Sequence, residues 1–153
     1  MALQSRIQAR FQDYSSYHQT AGNQATHMVG IPMIVLSILG LMGHLDIVQG
    51  IAGSEYLRLD GGTLTWALAM VWYLFMDWKL GLPFGLVSLG LYFVGRAIPV
   101  PVLWGVFILG WIIQFFGHIR FEKKSPAFYK NAEHLLVGPF WIFAKMTGYQ
   151  RNS

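Results

Sequence analysis

Four long apolar runs, separated by short polar turns, constrain the fold of this chain more than any other feature. We predict membrane-spanning helices at residues 27–43, 63–78, 82–98 and 102–116. Each run has about 16–18 residues, slightly fewer than the ~20 that cross roughly 30 Å of hydrocarbon, so flanking side chains must reach the interface. The alternative is a water-soluble bundle, but 153 residues supply too little polar surface to cover helices that are apolar on every side.

The composition agrees with a membrane environment. Hydrophobic residues make up 54% of the chain and charged residues 12%, whereas soluble domains have about 45–50% and about 25%. The aromatic content of 16% fits as well, because Trp and Tyr rings are favoured at the membrane boundary. The sequence contains no Cys, so a metal ion would have to be held by His and carboxylate side chains.

The positive charges lie mainly in the two flanks of the chain, and this distribution predicts the topology. Four crossings place both termini on one side, and the excess of Lys and Arg there makes that side cytoplasmic. We therefore expect an integral protein of the cell membrane in a bacterium, or of the endoplasmic reticulum in a eukaryote. The charges form no stripe, so no nucleic-acid partner is expected. The flanking residues are Arg6, Arg10, Arg120, Lys123, Lys124, Lys130, Lys145 and Arg151.

A last apolar stretch, residues 135–146, is too short to cross and contains a Gly-Pro break. We predict that it lies in the membrane interface. The N-terminal segment is polar and amphipathic and has no signal-peptide pattern. The fold class is therefore all-α: residues 1–153 are expected to form one polytopic membrane helix bundle, with four transmembrane helices and interfacial terminal helices.

This topology assigns each histidine to one of the two membrane faces. His18, His27, His118 and His134 fall at the cytoplasmic membrane face, whereas His44 falls near the opposite end of the first run. One such residue alone is more often an anchor than a ligand, but four at one depth indicate a metal site at that face. An all-imidazole site suits iron, zinc, copper or nickel, and composition does not choose among them.

Polar residues four positions from these histidines are able to share a helix face with them. Such partners hold the second ring nitrogen and fix the tautomer, although capping or packing explains each pair equally well. Because nine residues separate His18 from His27, we expect the helix to break at Gly22. The pairs are Tyr14 and His18, Asn23 and His27, Gln114 and His118, and His118 and Glu122.

Three basic residues, Arg120, Lys123 and Lys124, follow His118 closely. They are suited to bind a carboxylate or phosphate head group of a lipid substrate. The alternative is that they only determine membrane topology.

Three stretches of the chain resemble one known family, the 2-hydroxy fatty acid dioxygenases typified by the fungal enzyme of phytosphingosine breakdown. They are YSSYHQTAGNQATHMVGIP at 14–32, WIIQFFGHIRFEKKSPA at 111–127 and HLLVGPFWIFAK at 134–145. The first two follow the family patterns Y-x3-H-x4-N-x3-H-x2-G-x-P and Q-F-x-G-H-x3-E-x3-P-A.

The resemblance implies a membrane enzyme that contains an iron(II) ion, Fe(2+). Such an enzyme uses dioxygen to shorten a 2-hydroxy fatty acid by one carbon. The metal ligands would be His18, His27, His118 and His134. Chelation by the substrate's hydroxyl and carboxylate offers a physical route, with Glu122 as a base or a fifth ligand. Tyr14 and Asn23 are the remaining catalytic candidates.

Two other functions stay open from the sequence. A membrane metal carrier or transporter would place polar groups near the midplane, where the first, third and fourth runs offer only Ser37, Ser88 and glycines. A different His-ligated membrane lipid oxygenase or hydroxylase would use HxxHH clusters, which this sequence lacks. The expected partners are a 2-hydroxy fatty acid, dioxygen and membrane lipid, and a homo-oligomer is compatible with this sequence.

Overall fold

The computed structural model describes residues 2–48 and 59–149, and the described part of the chain is almost entirely helical. A π-helical turn, His118–Glu122, directly continues the fifth helix, and a short 3-10 turn covers Ala127–Tyr129. Two short strands, β1 (Asp46–Val48) and β2 (Leu59–Asp60), pair antiparallel. The all-α prediction is confirmed for the body of the protein. The helices are α1 (Ala2–Ser16), α2 (Ala21–Gly43), α3 (Gly61–Met76), α4 (Trp78–Arg96), α5 (Val100–Gly117) and α6 (His134–Met146).

Helix α2 is the centre of the bundle and packs against α3, α4, α5 and α6. Its contact with α4 is a close approach of two backbones at Gly40 and Gly95. A Cβ at Gly40 would lie 2.9 Å from the Gly95 backbone, so no larger residue fits without moving a helix. Small residues at such crossings are typical of helices that pack in a membrane, where van der Waals contact drives association.

The helices α2 to α5 alternate in direction, so the bundle has two distinct ends. At one end the start of α2 meets the π-helical turn after α5, where Gly22 contacts the Phe121 ring. At the other end the ring of His44 contacts the Ile98 carbonyl at 3.0 Å. His44 therefore lies at the opposite end of α2 from His27, as the topology predicts.

Three helices in the described residues are long and apolar enough to cross a membrane: Ala21–Gly43, Trp78–Arg96 and Val100–Glu122. Helix α3 has 16 residues and is shorter than this, so the structure supports three of the four predicted spans. Helix α4 begins before the predicted residue 82, because the Asp77 carboxylate accepts hydrogen bonds from the backbone N–H of Lys79 and Leu80.

The break between α1 and α2 lies before Gly22, contrary to the prediction. Helix α1 ends at Ser16, and Thr20 caps α2 by accepting a hydrogen bond from the Asn23 backbone N–H. Gly22 lies inside the first turn of α2, where a Cβ would be 2.6 Å from the Phe121 ring. The glycine therefore allows the π-helical turn to approach and does not end a helix.

Helix α6 packs its apolar face against the protein. Val137, Phe140 and Ala144 are completely buried, and the helix contacts α1 and α2. Burial against the protein is enough to explain why this segment is apolar. It does not test the predicted position in the membrane interface, which stays a prediction. Together α1 and α6 cover the end of the bundle at which α2 begins.

Candidate metal centre

Three of the four predicted ligands converge at the covered end of the bundle. His18 lies in the loop before α2, His27 lies in the second turn of α2, and His118 begins the π-helical turn after α5. Each offers a ring nitrogen, and the three nitrogens lie within 4.8 Å of one another. All three side chains are buried. We call this set the histidine cluster.

Hydrogen bonds fix the tautomers of two members of the cluster. The Nδ1 atom of His18 lies 2.7 Å from the Tyr14 carbonyl oxygen, and the Nδ1 atom of His27 lies 2.8 Å from the Asn23 carbonyl oxygen. Because a carbonyl only accepts, both Nδ1 atoms carry the proton and donate it. The predicted partners are therefore the right residues, but they act through backbone carbonyls and not through side chains.

The same two histidines point their remaining nitrogens at each other. The Nε2 atoms of His18 and His27 are 3.0 Å apart, and in these tautomers both carry a lone pair. Burial lowers the pKa of His18 to about 4, so its ring is neutral at pH 7 and no proton relieves the repulsion. A cation bound by both lone pairs would relieve it. Nitrogens about 2.1 Å from one metal ion lie about 3–4 Å apart, which this pair satisfies.

His118 contributes a second sign of a missing partner. Its Nδ1 atom is buried and has no hydrogen-bond partner among the described residues. Buried polar atoms are nearly always paired, so an orphaned imidazole nitrogen beside two others indicates an ion or a water. The residues therefore fit a transition metal held by neutral imidazoles, a donor set that suits iron as well as zinc, copper or nickel.

Glu122 connects the two segments that supply the cluster. Its carboxylate accepts hydrogen bonds from the backbone N–H of Gln19 and Thr20, from the Thr20 hydroxyl and from the Asn23 amide, at 2.8–3.2 Å. These four donors occupy both carboxylate oxygens and join the loop of His18 to the end of α5. The geometry favours a positioning role for Glu122 over the base or fifth ligand expected from the sequence.

The π-helical turn makes this arrangement possible. The wider backbone spacing of a π-helix replaces the regular α-helix at His118–Glu122, so that His118 and Glu122 both reach α2. The turn ends at Lys123, which has a φ of 55°. Gly117 lies directly against α2 at this point. A Cβ there would be 2.0 Å from the Thr26 hydroxyl oxygen and 2.6 Å from the Asn23 amide oxygen. The close contact of α5 with α2 therefore places His118 beside His27.

His134 lies beside the cluster but is not brought into it. Its Nε2 atom bonds to the Asp13 carboxylate at 2.7 Å, and its ring packs edge-on against Tyr14 and Tyr17. The described geometry therefore brings three histidines together, and His134 lies beside them with its Nδ1 atom buried and, like that of His118, without a hydrogen-bond partner among the described residues. Sequence reasoning missed Asp13, although it is the only acidic residue before Asp46 and directly precedes the first motif.

The three basic residues expected to bind a head group lie outside the site. Arg120, Lys123 and Lys124 are exposed, and none of them lines the cavity beside the cluster. Their exposure fits the alternative that they determine topology, and the head-group role stays a prediction.

The histidine cluster forms one end of a cavity of about 190 Å³. Tyr14 and His134 also border it, and most of the remaining wall consists of apolar side chains of α2 and α5. Burial raises the pKa of Tyr14, which stacks on the His18 ring with centroids 4.1 Å apart. The phenol therefore keeps its proton and is able to donate a hydrogen bond into the cavity.

Comparisons with known proteins agree with these observations. The family described as "2-hydroxy-palmitic acid dioxygenase Mpo1-like" matches residues 4–150. The chain is also similar to the 2-hydroxy-palmitic acid dioxygenase MPO1 of Saccharomyces cerevisiae, with 28% identity over 134 residues, which cover 84% of this chain and 72% of the yeast protein. No solved structure matches the chain significantly. The resemblance inferred from the three motifs is confirmed.

Proposed function

The chain belongs to the Mpo1-like family, and from this premise we propose that it is an Fe(II)-dependent dioxygenase of 2-hydroxy fatty acids. The observation that carries the proposal is the histidine cluster. Two neutral imidazoles direct lone pairs at each other across 3.0 Å, and a third has an orphaned buried nitrogen. That arrangement is costly in a protein that does not bind a cation.

The proposed reaction balances without an organic cosubstrate. A 2-hydroxy acid and dioxygen give the acid one carbon shorter, carbon dioxide and water. The bond between C1 and C2 breaks, C2 is oxidised to the new carboxyl carbon, and the substrate supplies all four electrons that dioxygen accepts. A bound Fe(II) would supply the one-electron chemistry that lets dioxygen react with a closed-shell organic acid.

The residues of the chain prepare the site for this reaction. The carbonyls of Tyr14 and Asn23 orient His18 and His27, so that each presents an unprotonated Nε2 atom. Glu122 holds the loop of His18 against the end of α5. The protonated hydroxyl of Tyr14, in the cavity wall, is available to a head-group oxygen. The apolar remainder of the wall excludes water from the reacting groups.

The proposal includes four crossings with both termini in the cytoplasm. Helix α3 alternates in direction with its neighbours and its end meets α6, where the Tyr73 hydroxyl donates to the Leu136 carbonyl at 3.0 Å. Its 16 residues span about 24 Å, which a locally thinner bilayer accommodates. The histidine cluster would then lie at the cytoplasmic face of the cell membrane, or of the endoplasmic reticulum in a eukaryote.

Reporter fusions test this topology. A reporter after Ser153 and one inserted within residues 55–61 are expected on opposite sides of the membrane, because an odd number of crossings separates the two positions. The measurements are the enzymatic activity of alkaline phosphatase and the fluorescence of a fluorescent protein, each fused at both positions. Both reporters on one side would exclude the four-span topology.

Substrate preference tests the chemistry. Detergent-purified protein loaded with Fe(II) is expected to consume dioxygen with 2-hydroxypalmitate and to form pentadecanoate, without added 2-oxoglutarate. Palmitate is expected to react at least about 100-fold more slowly, because it cannot form the chelate ring through a 2-hydroxyl group. Oxygen uptake and mass spectrometry of the products measure both. Equal turnover of the two acids would refute the chelation step.

A further inference from the structure

The cavity beside the histidine cluster lies in a cleft between two helices that do not pack on each other. Helices α5 and α6 both pack against α2, whereas they make almost no direct contact with one another. All three helices line the cavity, with Ile34 on α2, Trp111 on α5 and Pro139 on α6. The cleft between α5 and α6 is therefore closed by something other than helix packing.

The segment that closes the cleft is the connection between α5 and α6, residues 123–133, which we call the strap. Its 3-10 turn contacts α6 and carries Phe128, which lines the cavity. The ring centroid of Phe128 lies 5.3 Å from that of Trp111 and 6.4 Å from that of Phe115, both on α5. This one side chain therefore bridges the cleft from the side of α6 to the side of α5.

The contacts of Phe128 are of a kind that is easily broken and remade. A phenyl ring makes no hydrogen bond or ion pair, so its rotation away from Trp111 and Phe115 breaks apolar ring contacts alone. A described polar tie of the strap to another helix, the ion pair of Glu133 with Arg10 at 2.6 Å, lies five residues beyond the ring. The ring is therefore able to leave the cleft while this tie stays in place.

The depth of Phe128 is the depth at which a polar head group travels. His118 directly follows α5, and Phe115 lies three residues earlier, about 4.5 Å along the helix. In the proposed topology this level is the membrane interface, where a carboxylate stays hydrated. A route past Ile38, at the far end of the cavity, would draw the charged group through hydrocarbon at a large cost. An acid dissolved in the bilayer therefore reaches the cluster sideways, through the cleft.

Resting on the proposed function for the identity of the ligand, we propose that Phe128 is the gate residue of a lateral entrance between α5 and α6. The ring lies in the cleft in this structure, so the gate is closed. Its rotation, with displacement of the strap, admits the acid from the bilayer to the buried histidine cluster. Its return separates the reacting groups from water.

A covalent bridge across the cleft tests this proposal, because the sequence contains no Cys and introduced thiols react alone. In Trp111→Cys/Phe128→Cys, α,α′-dibromo-m-xylene joins the two thiols through one aromatic ring and holds the strap on α5. The matched control is the same variant with each thiol capped by benzyl bromide, which restores two separate rings without a bridge. The bridged protein is expected to admit radiolabelled 2-hydroxypalmitate at least about tenfold more slowly than the capped protein.

Two readouts separate the gate from the proposed function. Entry of the acid is measured by rapid filtration on iron-free protein in nanodiscs, and turnover is measured by oxygen uptake on iron-loaded protein. Slower entry in the bridged protein, without turnover in any iron-loaded sample, would support the gate and refute the dioxygenase. Equal entry rates in the bridged and capped proteins would refute the gate, even if the iron-loaded protein turns over.

A single substitution keeps the test decisive if the bridged protein does not form. Phe128→Ala removes the gate residue and is expected to raise the entry rate and the release rate together, each at least about threefold, with little change in affinity. Phe93→Ala is the control, because Phe93 is exposed on α4 and lies outside the cavity. A weaker affinity with an unchanged entry rate would contradict the proposal, and so would equal rates in the two variants.

Discussion

Replacement of His18, His27 or His118 with Ala is expected to reduce bound iron to less than about a tenth of the wild-type content and turnover by at least about 100-fold. Each substitution removes one of three neutral imidazoles whose nitrogens lie within 4.8 Å of one another. The two that remain form a weaker, open site. Metal content of the purified variants and oxygen uptake with 2-hydroxypalmitate provide the measurement.

Two further histidines serve as comparisons. His44→Ala is expected to keep iron and activity within about twofold, because His44 is exposed at the opposite end of α2. His134→Ala is expected to keep the iron, because the Nε2 atom of His134 is engaged in a hydrogen bond with the Asp13 carboxylate. Loss of iron in His134→Ala would restore the four-ligand set predicted from the sequence. Full iron content in His18→Ala, His27→Ala and His118→Ala would contradict the site.

Gly117→Ala is expected to remove most of the activity without changing any ligand. The added methyl group would lie 2.0 Å from the Thr26 hydroxyl oxygen, so α5 must move away from α2 or Thr26 must rotate. Overpacking of this kind costs about 1–3 kcal/mol and displaces His118, the next residue, from His27. We expect iron affinity to fall at least about tenfold, with a lower thermal unfolding temperature.

The same helix offers a matched control. Gly105→Ala adds the same methyl group to α5 where no atom lies within 4 Å, and it is expected to leave iron binding unchanged and to stabilise the protein slightly. Wild-type iron affinity in Gly117→Ala would show that the contact between α5 and α2 does not position His118. Equal losses of iron affinity in both variants would show that α5 is sensitive to an added methyl group at either position, and not specifically at its contact with α2.

The residues that lie at each end of the bundle could be predicted from the sequence, because the hydrophobic effect determines where whole apolar segments lie. Apolar runs of nearly constant length locate the helices, although α2 begins at Ala21 and not at the predicted residue 27. Alternation of direction then assigns each histidine to one end. For this reason His18, His27 and His118 could be grouped and His44 set apart. The length of α3 could be obtained in this way, but its bounds lie two residues earlier than the predicted run at 63–78, since Asp60 caps its start and Asp77 its end.

The roles of individual polar groups could not be predicted, because they depend on contacts between distant segments. Glu122 lies four positions from His118, which suggests a local pair, but its four hydrogen-bond donors come from Gln19, Thr20 and Asn23. Likewise, the spacing of Tyr14 and His18 does not reveal whether a side chain or a carbonyl accepts the hydrogen bond. A helix presents both acceptors to a ring four residues later.

His134 shows the limit of an argument from membrane depth. It lies at the depth of the other three, and its ring approaches Tyr14, which stacks on His18. The carboxylate that engages it comes from α1, a segment whose polarity suggested only an interfacial helix. Depth therefore identifies candidates, whereas the contacts of each ring nitrogen depend on segments that are distant in the sequence.

Metal analysis combined with oxygen uptake on one detergent-purified preparation tests the central claim most directly. We predict about one iron per chain, and one dioxygen consumed for each pentadecanoate released from 2-hydroxypalmitate, with turnover proportional to iron content. Exhaustive removal of iron is predicted to abolish the uptake, and Fe(II) alone is predicted to restore it. Full activity in protein free of iron would contradict the assignment of the histidine cluster as the catalytic metal centre.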